Sequence, residues 1–163
     1  MRLMPEPSAP ESIGDRLPSR APVARVVHGS CLCGDVGFRI SGSPLRMVNC
    51  HCEKCRRARS AAYASNLFVP ARQFRWTRGE SQVVSYRLPG TSAGASFSTA
   101  FCRRCGSDLP RATRGDAVVV IPAGSLDGDP GIRPQAHVFV DEKASWFEIT
   151  DDLPQYRELP PLV

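Results

Sequence analysis

The chain has 163 residues, of which 42% are hydrophobic and 23% charged, and its formal net charge is +5. This composition is ordinary for a soluble globular protein, and the length suits one domain with a real hydrophobic core. No apolar run approaches the roughly 18 residues of a membrane-spanning helix. We therefore expect no membrane partner.

The N-terminal segment differs in composition from the rest of the chain. Residues 1–24 contain five prolines and no aromatic residue. Such a segment buries too little apolar surface to offset the entropy lost on ordering, so we expect a flexible tail. Residues 25–163 then form a single domain. The first 20 residues lack the apolar segment of a secretory signal, which favours a cytoplasmic protein.

The remaining sequence predicts an all-β domain of several short strands. Apolar and polar residues alternate in three segments, residues 36–40, 83–88 and 95–101. Residues 118–121 are continuously apolar and β-branched, which is typical of a strand covered on both faces. Only residues 53–59 have a helical pattern, and Gly- and Pro-containing turns separate the other segments.

Seven cysteines occur in three clusters. The clusters are Cys31 and Cys33, then Cys50, Cys52 and Cys55, then Cys102 and Cys105. An odd number of cysteines cannot pair fully as disulfides within one chain. Spacings of one and two residues suit a metal ion, since one ion gathers several thiolates from a tight turn. We therefore predict two zinc ions per chain.

The spacing also divides the cysteines between a closed site and an open site. The two outer clusters together supply four thiolates, which is the ligand set of a structural zinc site. The middle cluster, Cys50, Cys52 and Cys55, supplies three and leaves a corner for water or substrate, which is typical of catalytic zinc. Nearby arginines, Arg56 and Arg57 in particular, are candidates for binding substrate carboxylates. Alternatively, they form a solvated helix face.

Other interpretations of the same residues remain open. Both ions can be structural if His51 or a distant residue fills the fourth place of the second site. Iron–sulfur ligation is possible, although the spacing does not favour it. His28 and His137 are single histidines, which more often lie in a core or behind metal ligands than bind metal directly.

The basic charge by itself does not favour nucleic-acid binding. Seven thiolates around two divalent ions lower the net charge to roughly +2. The chain also lacks a long run of lysine and arginine and any stretch that interleaves aromatic with basic residues. A basic surface that attracts small anionic substrates is the better interpretation.

With these motifs identified, the sequence resembles a known family. The resemblance extends from about residue 26 to residue 159 and rests on residues 29–34, 49–57, 101–107, 124–127 and 137–140. These segments are similar to the glutathione-dependent formaldehyde-activating enzyme family, which includes centromere protein V-like domains. One departure concerns Arg59 and Ser60, which replace a small polar residue and a glycine and predict a reshaped pocket.

The resemblance implies a fold, a metal assignment and a reaction. The fold would consist of several short coiled β-sheets around zinc, as in B-type methionine sulfoxide reductases. Cys31, Cys33, Cys102 and Cys105 would bind the structural ion, and Cys50, Cys52 and Cys55 the catalytic one. The reaction would be that of a carbon–sulfur lyase resembling S-(hydroxymethyl)glutathione synthase. Its partners would be a small thiol such as glutathione and an aldehyde such as formaldehyde.

A second hypothesis is a zinc-stabilised binding module without catalysis, as the centromere protein V-like relatives suggest. It predicts four protein ligands around the second ion. Sulfoxide reduction is a weaker third hypothesis, because it requires a nucleophilic cysteine outside the metal sites and all seven are assigned. The sequence favours the enzyme.

Overall fold

The computed structural model describes residues 26–89, 97–113, 115 and 117–160. These residues are mostly β, with one α-helix, α1 (Glu53–Arg59). The strands are β1 (Val26–Ser30), β2 (Gly37–Ser41), β3 (Arg46–Cys50), β4 (Ala64–Pro70), β5 (Phe74–Arg78), β6 (Val83–Arg87), β7 (Ser98–Cys102), β8 (Asp108–Leu109), β9 (Arg111–Ala112), β10 (Val118–Pro122), β11 (His137–Val138) and β12 (Gln155–Tyr156). No helix in these ranges is long and apolar enough to cross a membrane.

The strands form three small sheets. Two sheets have three strands each, in the orders β1-β2-β5 and β6-β7-β8. The third has six strands in the order β12-β11-β3-β4-β10-β9. Within it, β11 runs parallel to both β3 and β12, whereas the pairs from β3 to β9 are antiparallel. The six-stranded sheet therefore connects segments from the whole domain.

One face of the six-stranded sheet forms the main hydrophobic core. Met47, Leu67 and Ile121 point to this face and pack against Phe38 and Phe74 of the β1-β2-β5 sheet. The Phe38 and Phe74 rings lie 5.7 Å apart. Because strand side chains alternate between faces, the other face receives the intervening residues. That second face carries Cys50.

The residues on the second face follow from the register of the strands. Cys50 pairs with Ala64 across β3 and β4, and Arg46 pairs with Phe68. Phe68 in turn pairs with Val120, which pairs with Arg111. Val48, Cys50, Cys55 and Ala64 form a buried cluster that Phe68 and Phe97 cover. We call this surface the cysteine face.

Several predicted elements are confirmed. The helix spans the predicted residues 53–59, and the predicted strands appear as β2, β6, β7 and β10. β10 is interior to its sheet, which explains its continuous apolar sequence. The predicted flexible tail, residues 1–24, and the start of the 95–101 pattern lie outside the described residues. The likeness to B-type methionine sulfoxide reductases stays a prediction.

Candidate metal centres

The fold brings four cysteines together at the end of two sheets. The sulfurs of Cys31, Cys33, Cys102 and Cys105 lie within 4.8 Å of one another. The Cys31 and Cys33 sulfurs are 3.5 Å apart, and those of Cys33 and Cys102 are 3.9 Å apart. A tetrahedral site with metal–sulfur bonds of about 2.3 Å has sulfur–sulfur edges of about 3.8 Å. The four thiols therefore fit a single tetrahedral ion.

Two glycine turns hold these cysteines in place. The Gly34 N–H donates to the Cys31 carbonyl at 3.0 Å, and the Gly106 N–H donates to the Cys102 carbonyl at 2.9 Å. Both glycines have positive φ, 78° and 73°. Glycine suits both positions, since this backbone region disfavours other residues. Cys31 and Cys33 lie in the turn after β1.

Ser107 is a supporting residue that sequence reasoning missed. Its hydroxyl lies 3.2 Å from the Cys105 sulfur and accepts the Leu32 N–H at 3.1 Å. The hydrogen bond from Ser107 lowers the pKa of Cys105 to about 5. Cys105 is thus held as the thiolate that metal binding requires.

The second group of thiols is Cys50, Cys52 and Cys55, whose sulfurs also lie within 4.8 Å of one another. Cys50 ends β3, Cys52 is the N-cap of α1, and Cys55 lies in the first turn of that helix. The Cys52 sulfur accepts the Cys55 N–H at 3.4 Å. Within the described part of the chain, no further His, Cys, Asp or Glu joins this group. The geometry therefore offers three donors to one ion.

The three thiols interact strongly with one another. Hydrogen bonds from Cys50 and Cys55 lower the pKa of Cys52 to about 2. The hydrogen bond to Cys52 raises the pKa of Cys50. These hydrogen bonds favour the thiolate form of Cys52 within the group. A negative charge among soft sulfur donors suits a thiophilic divalent cation.

His51 lies between two of these cysteines but points away from them. Its Nε2 atom is 2.7 Å from Nδ1 of His137, and both side chains are buried. Nε2 of His137 lies 3.1 Å from both carboxylate oxygens of Asp151. Nδ1 of His51 is buried without a partner among the described residues. His51 is therefore outside the donor group, contrary to one interpretation left open by the sequence.

Most of the chain matches one protein-family model. The family model described as glutathione-dependent formaldehyde-activating enzyme matches residues 26–142. The chain belongs to this family. The match includes both cysteine groups and His137, so the family's sequence pattern and the two thiol clusters occupy the same part of the chain.

A crystal structure of a Rhodobacter sphaeroides protein is also similar to this family member. The two chains are 24% identical, with a TM-score of 0.48. The similarity covers 63% of this chain and 89% of the other. No curated protein matches the sequence.

In this member of the glutathione-dependent formaldehyde-activating enzyme family, Arg56 and Arg57 lie on the outer side of α1. The Arg57 guanidinium pairs with Glu53 at 2.8 Å, and Nε of Arg56 donates to the His51 carbonyl at 3.2 Å. Together with the exposed Trp146, these residues line a cleft of about 300 Å³. Their role in substrate binding stays a prediction.

Arg59 lies on the side of α1 that carries Cys55, one helical turn further on. It pairs with Asp108 of β8 at 2.7 Å, and the two side chains are only 15% and 20% exposed. Asp108 also accepts a hydrogen bond from Thr99 at 3.1 Å. Arg59, which the sequence predicts to reshape the pocket, thus has a structural partner. It connects the cysteine helix to the β6-β7-β8 sheet.

Two larger cavities flank the cysteine face. One, of about 720 Å³, is lined by Arg59, Tyr63 and Cys31, among others. The other, of about 950 Å³, lies between β6, β7 and β9 and includes Arg111. Sequence reasoning missed Arg111, because β9 has only two residues and no periodicity to detect.

Proposed function

We propose that the chain is a zinc-dependent carbon–sulfur lyase that adds a small aldehyde to a thiol such as glutathione, or removes it. In the forward direction the thiol sulfur bonds to the carbonyl carbon. The thiol proton is transferred to the carbonyl oxygen, giving a hydroxymethyl thioether from formaldehyde. Family membership and the three-donor thiol group support this proposal.

The donor sets support the assignment of two zinc ions. Cys31, Cys33, Cys102 and Cys105 would hold a structural ion in a closed site. Cys50, Cys52 and Cys55 would hold a second ion, and zinc bound there would polarise the aldehyde and stabilise a substrate thiolate. Seven free thiols also suit a reducing, cytoplasmic setting, which we include in the proposal.

The surrounding residues would position the second site and limit its contact with water. Phe97 and Phe139 pack against the buried Cys50 and Cys55. Glu142 accepts the Glu53 N–H at 2.8 Å, which fixes the start of α1. The His51–His137 hydrogen bond anchors the loop from the opposite side. These contacts would hold the three cysteines in place for a bound metal ion and its substrate.

The decisive observation is the group of three thiols without a fourth protein donor among the described residues. The test is exchange NMR of S-(hydroxymethyl)glutathione formation with the full chain loaded with zinc. Cys52→Ser should lower the catalysed exchange at least about 100-fold and reduce the zinc content from two ions to one. Leu32→Ala is the matched control, because Leu32 lies in the other cysteine turn and is fully exposed to solvent.

The opposite results would support the alternative function. A zinc-loaded wild-type chain that gives no acceleration over the uncatalysed reaction would indicate a binding module. A Cys52→Ser variant that keeps an accelerated wild-type rate would instead show that the three-cysteine group is not the catalytic site. A normal rate in Leu32→Ala shows that a change near the structural site does not by itself lower activity.

A further inference from the structure

Arg111 has no carboxylate partner in the described part of the chain, although it is largely removed from water. Its guanidinium lies over the Phe97 ring, 5.8 Å from the centroid. Arg59, its neighbour near the cysteines, pairs with Asp108, but no described Asp or Glu pairs with Arg111. Removing a cation from water without an anionic partner is costly. Arg111 is therefore available to an anionic ligand.

Arg111 lies beside the three cysteines as well. It occupies the cysteine face, on the same row as Val120 and Phe68, and the Phe97 ring beneath it packs against the cysteine cluster. Burial lowers the pKa of Arg111, and the negative charge of nearby Cys55 raises it. The cation is thus within electrostatic reach of the thiol group.

The same side chain forms part of the wall of the 950 Å³ cavity. This volume is within the range of small-molecule sites. Ser85 and Ser98 line it too, with hydroxyls that make no hydrogen bond among the described residues, together with Arg87 and Glu80. Hydroxyls and a guanidinium are donors that recognise carboxylates, and Arg binds a carboxylate through two parallel hydrogen bonds. A ligand in this cavity would therefore contact Arg111.

We propose that Arg111 determines substrate specificity by binding the carboxylate of a thiol that enters through this cavity, with its sulfur directed at the three-cysteine centre. The proposal rests on the function proposed above and adds the residue that recognises the carboxylate of the thiol. It assigns this role to Arg111 rather than to Arg56 and Arg57.

The test uses the full chain loaded with cobalt(II), whose visible absorption changes when a thiolate joins the metal. N-acetylcysteine and N-acetylcysteine amide are titrated separately, because they differ in the carboxylate. We compare the ratio of their dissociation constants between variants, so that the different acidities of the two thiols cancel. In the wild type the carboxylate should strengthen binding at least about 10-fold, as expected for a charge-assisted hydrogen bond.

Arg111→Met should reduce this ratio to within about twofold of one, and Arg111→Lys should retain part of the preference because it keeps the charge. Arg46→Met is the matched control. Arg46 also lies over a phenylalanine on the cysteine face, 4.9 Å from the Phe68 centroid, but at the opposite end of β3 from Cys50. It should keep the wild-type ratio. Cobalt content and near-UV circular dichroism show that each variant is folded. If Arg111→Met does not fold, Arg111→Lys decides, because its ratio should lie below that of the wild type.

Three results would overturn the inference. The full wild-type preference can survive in both Arg111→Met and Arg111→Lys, or it can be lost equally in Arg46→Met. The wild type can also bind both thiols equally while both change the cobalt spectrum, in which case the proposed lyase function stands. If neither thiol changes the spectrum, the open coordination position is absent and both proposals are wrong.

Discussion

Ser60 ends α1 in a backbone conformation that suits glycine. Its φ and ψ are 49° and 44°, and its N–H donates to the last carbonyls of the helix. A non-glycine residue in this left-handed region costs about 1 kcal/mol. Ser60→Gly should therefore raise the free energy of unfolding by about 0.5–1 kcal/mol, as measured by urea denaturation.

The neighbouring Ala61 provides the control for this change. It has negative φ, so Ala61→Gly removes no strain and should lower the free energy of unfolding by about 0.5–1 kcal/mol. If both glycine substitutions destabilise the protein, the helix end is not strained. The sequence departure at this position would then have another explanation.

Asn66 is a buried polar residue on the cysteine face whose carbonyl oxygen Oδ1 has no partner among the described residues. An unpaired buried acceptor costs about 1–3 kcal/mol. Asn66→Leu removes the unpaired acceptor and keeps a similar side-chain volume. Without substrate, the variant should be at least as stable as the wild type, with a free energy of unfolding higher by up to about 1 kcal/mol. Urea denaturation of both proteins at the same zinc content measures the difference in their free energies of unfolding.

Asn49 is the matched comparison, because it is equally buried but accepts the Ser65 hydroxyl at 2.7 Å. Asn49→Leu should destabilise the protein by about 1–3 kcal/mol. Equal losses in the two leucine variants would show that Asn66 has a partner in solution. A gain in the free energy of unfolding in Asn66→Leu would show that Oδ1 of Asn66 is unpaired in the wild type. That oxygen is then available to a ligand of the three-cysteine centre.

At the scale of elements, β11 connects a remote part of the chain to the metal loop. It runs parallel to β3, pairing Val138 with Cys50, and it carries His137 to His51. His137→Ala leaves both nitrogens of His51 without a partner and removes the link to Asp151. Partners behind a metal loop typically contribute 10–100-fold to metal affinity. The variant should lose its second zinc to a chelator at least about 10-fold faster.

The control is His28→Ala, because His28 lies exposed on β1 and belongs to neither cysteine group. Zinc loss is followed with a chromophoric chelator, and the four-cysteine ion serves as an internal reference. That ion should leave at the wild-type rate in both variants. If His28→Ala has the same effect as His137→Ala, the histidine network does not hold the loop.

The elements that could be predicted are those with a local cause. The alternation of apolar and polar residues at 36–40 predicts β2, and the apolar run of residues 118–121 predicts β10. Helix α1 also has a local cause, because Cys52 is its N-cap. By contrast, the parallel pairing of β11 with β3 joins residues 86 or more positions apart, and nothing in residues 137–138 alone specifies it.

The same distinction applies to the candidate site. Cysteine spacing identified both thiol groups, since a metal loop is encoded within a few residues. Arg111 and Asn66 belong to the cysteine face only through the register of β3, β4, β10 and β9. Register depends on the packing of one whole face, which is a property of the sheet rather than of any segment.

At the scale of the whole molecule, the two thiol groups differ in how much chain they connect. Cys33 and Cys102 are 69 positions apart and lie at the ends of two different sheets. The three-cysteine group, by contrast, lies within residues 50–55. The entropy of closing a loop grows with the logarithm of its length, so the longer loop constrains the unfolded chain by about 2 kcal/mol more. The first site should thus stabilise the domain, whereas the second should affect mainly its local loop.

This difference predicts unequal effects of removing each metal. Cys102→Ser should lower the melting temperature much more than Cys52→Ser, by about 10 °C or more for several kcal/mol of lost stability. Differential scanning calorimetry of the zinc-loaded variants measures the two shifts, and zinc analysis gives the remaining ions. Cys52→Ser should keep one ion and unfold close to the wild-type temperature. Equal melting shifts would mean that the three-cysteine loop also supports the global fold, and the assignment of a structural and a catalytic centre would lose its physical basis.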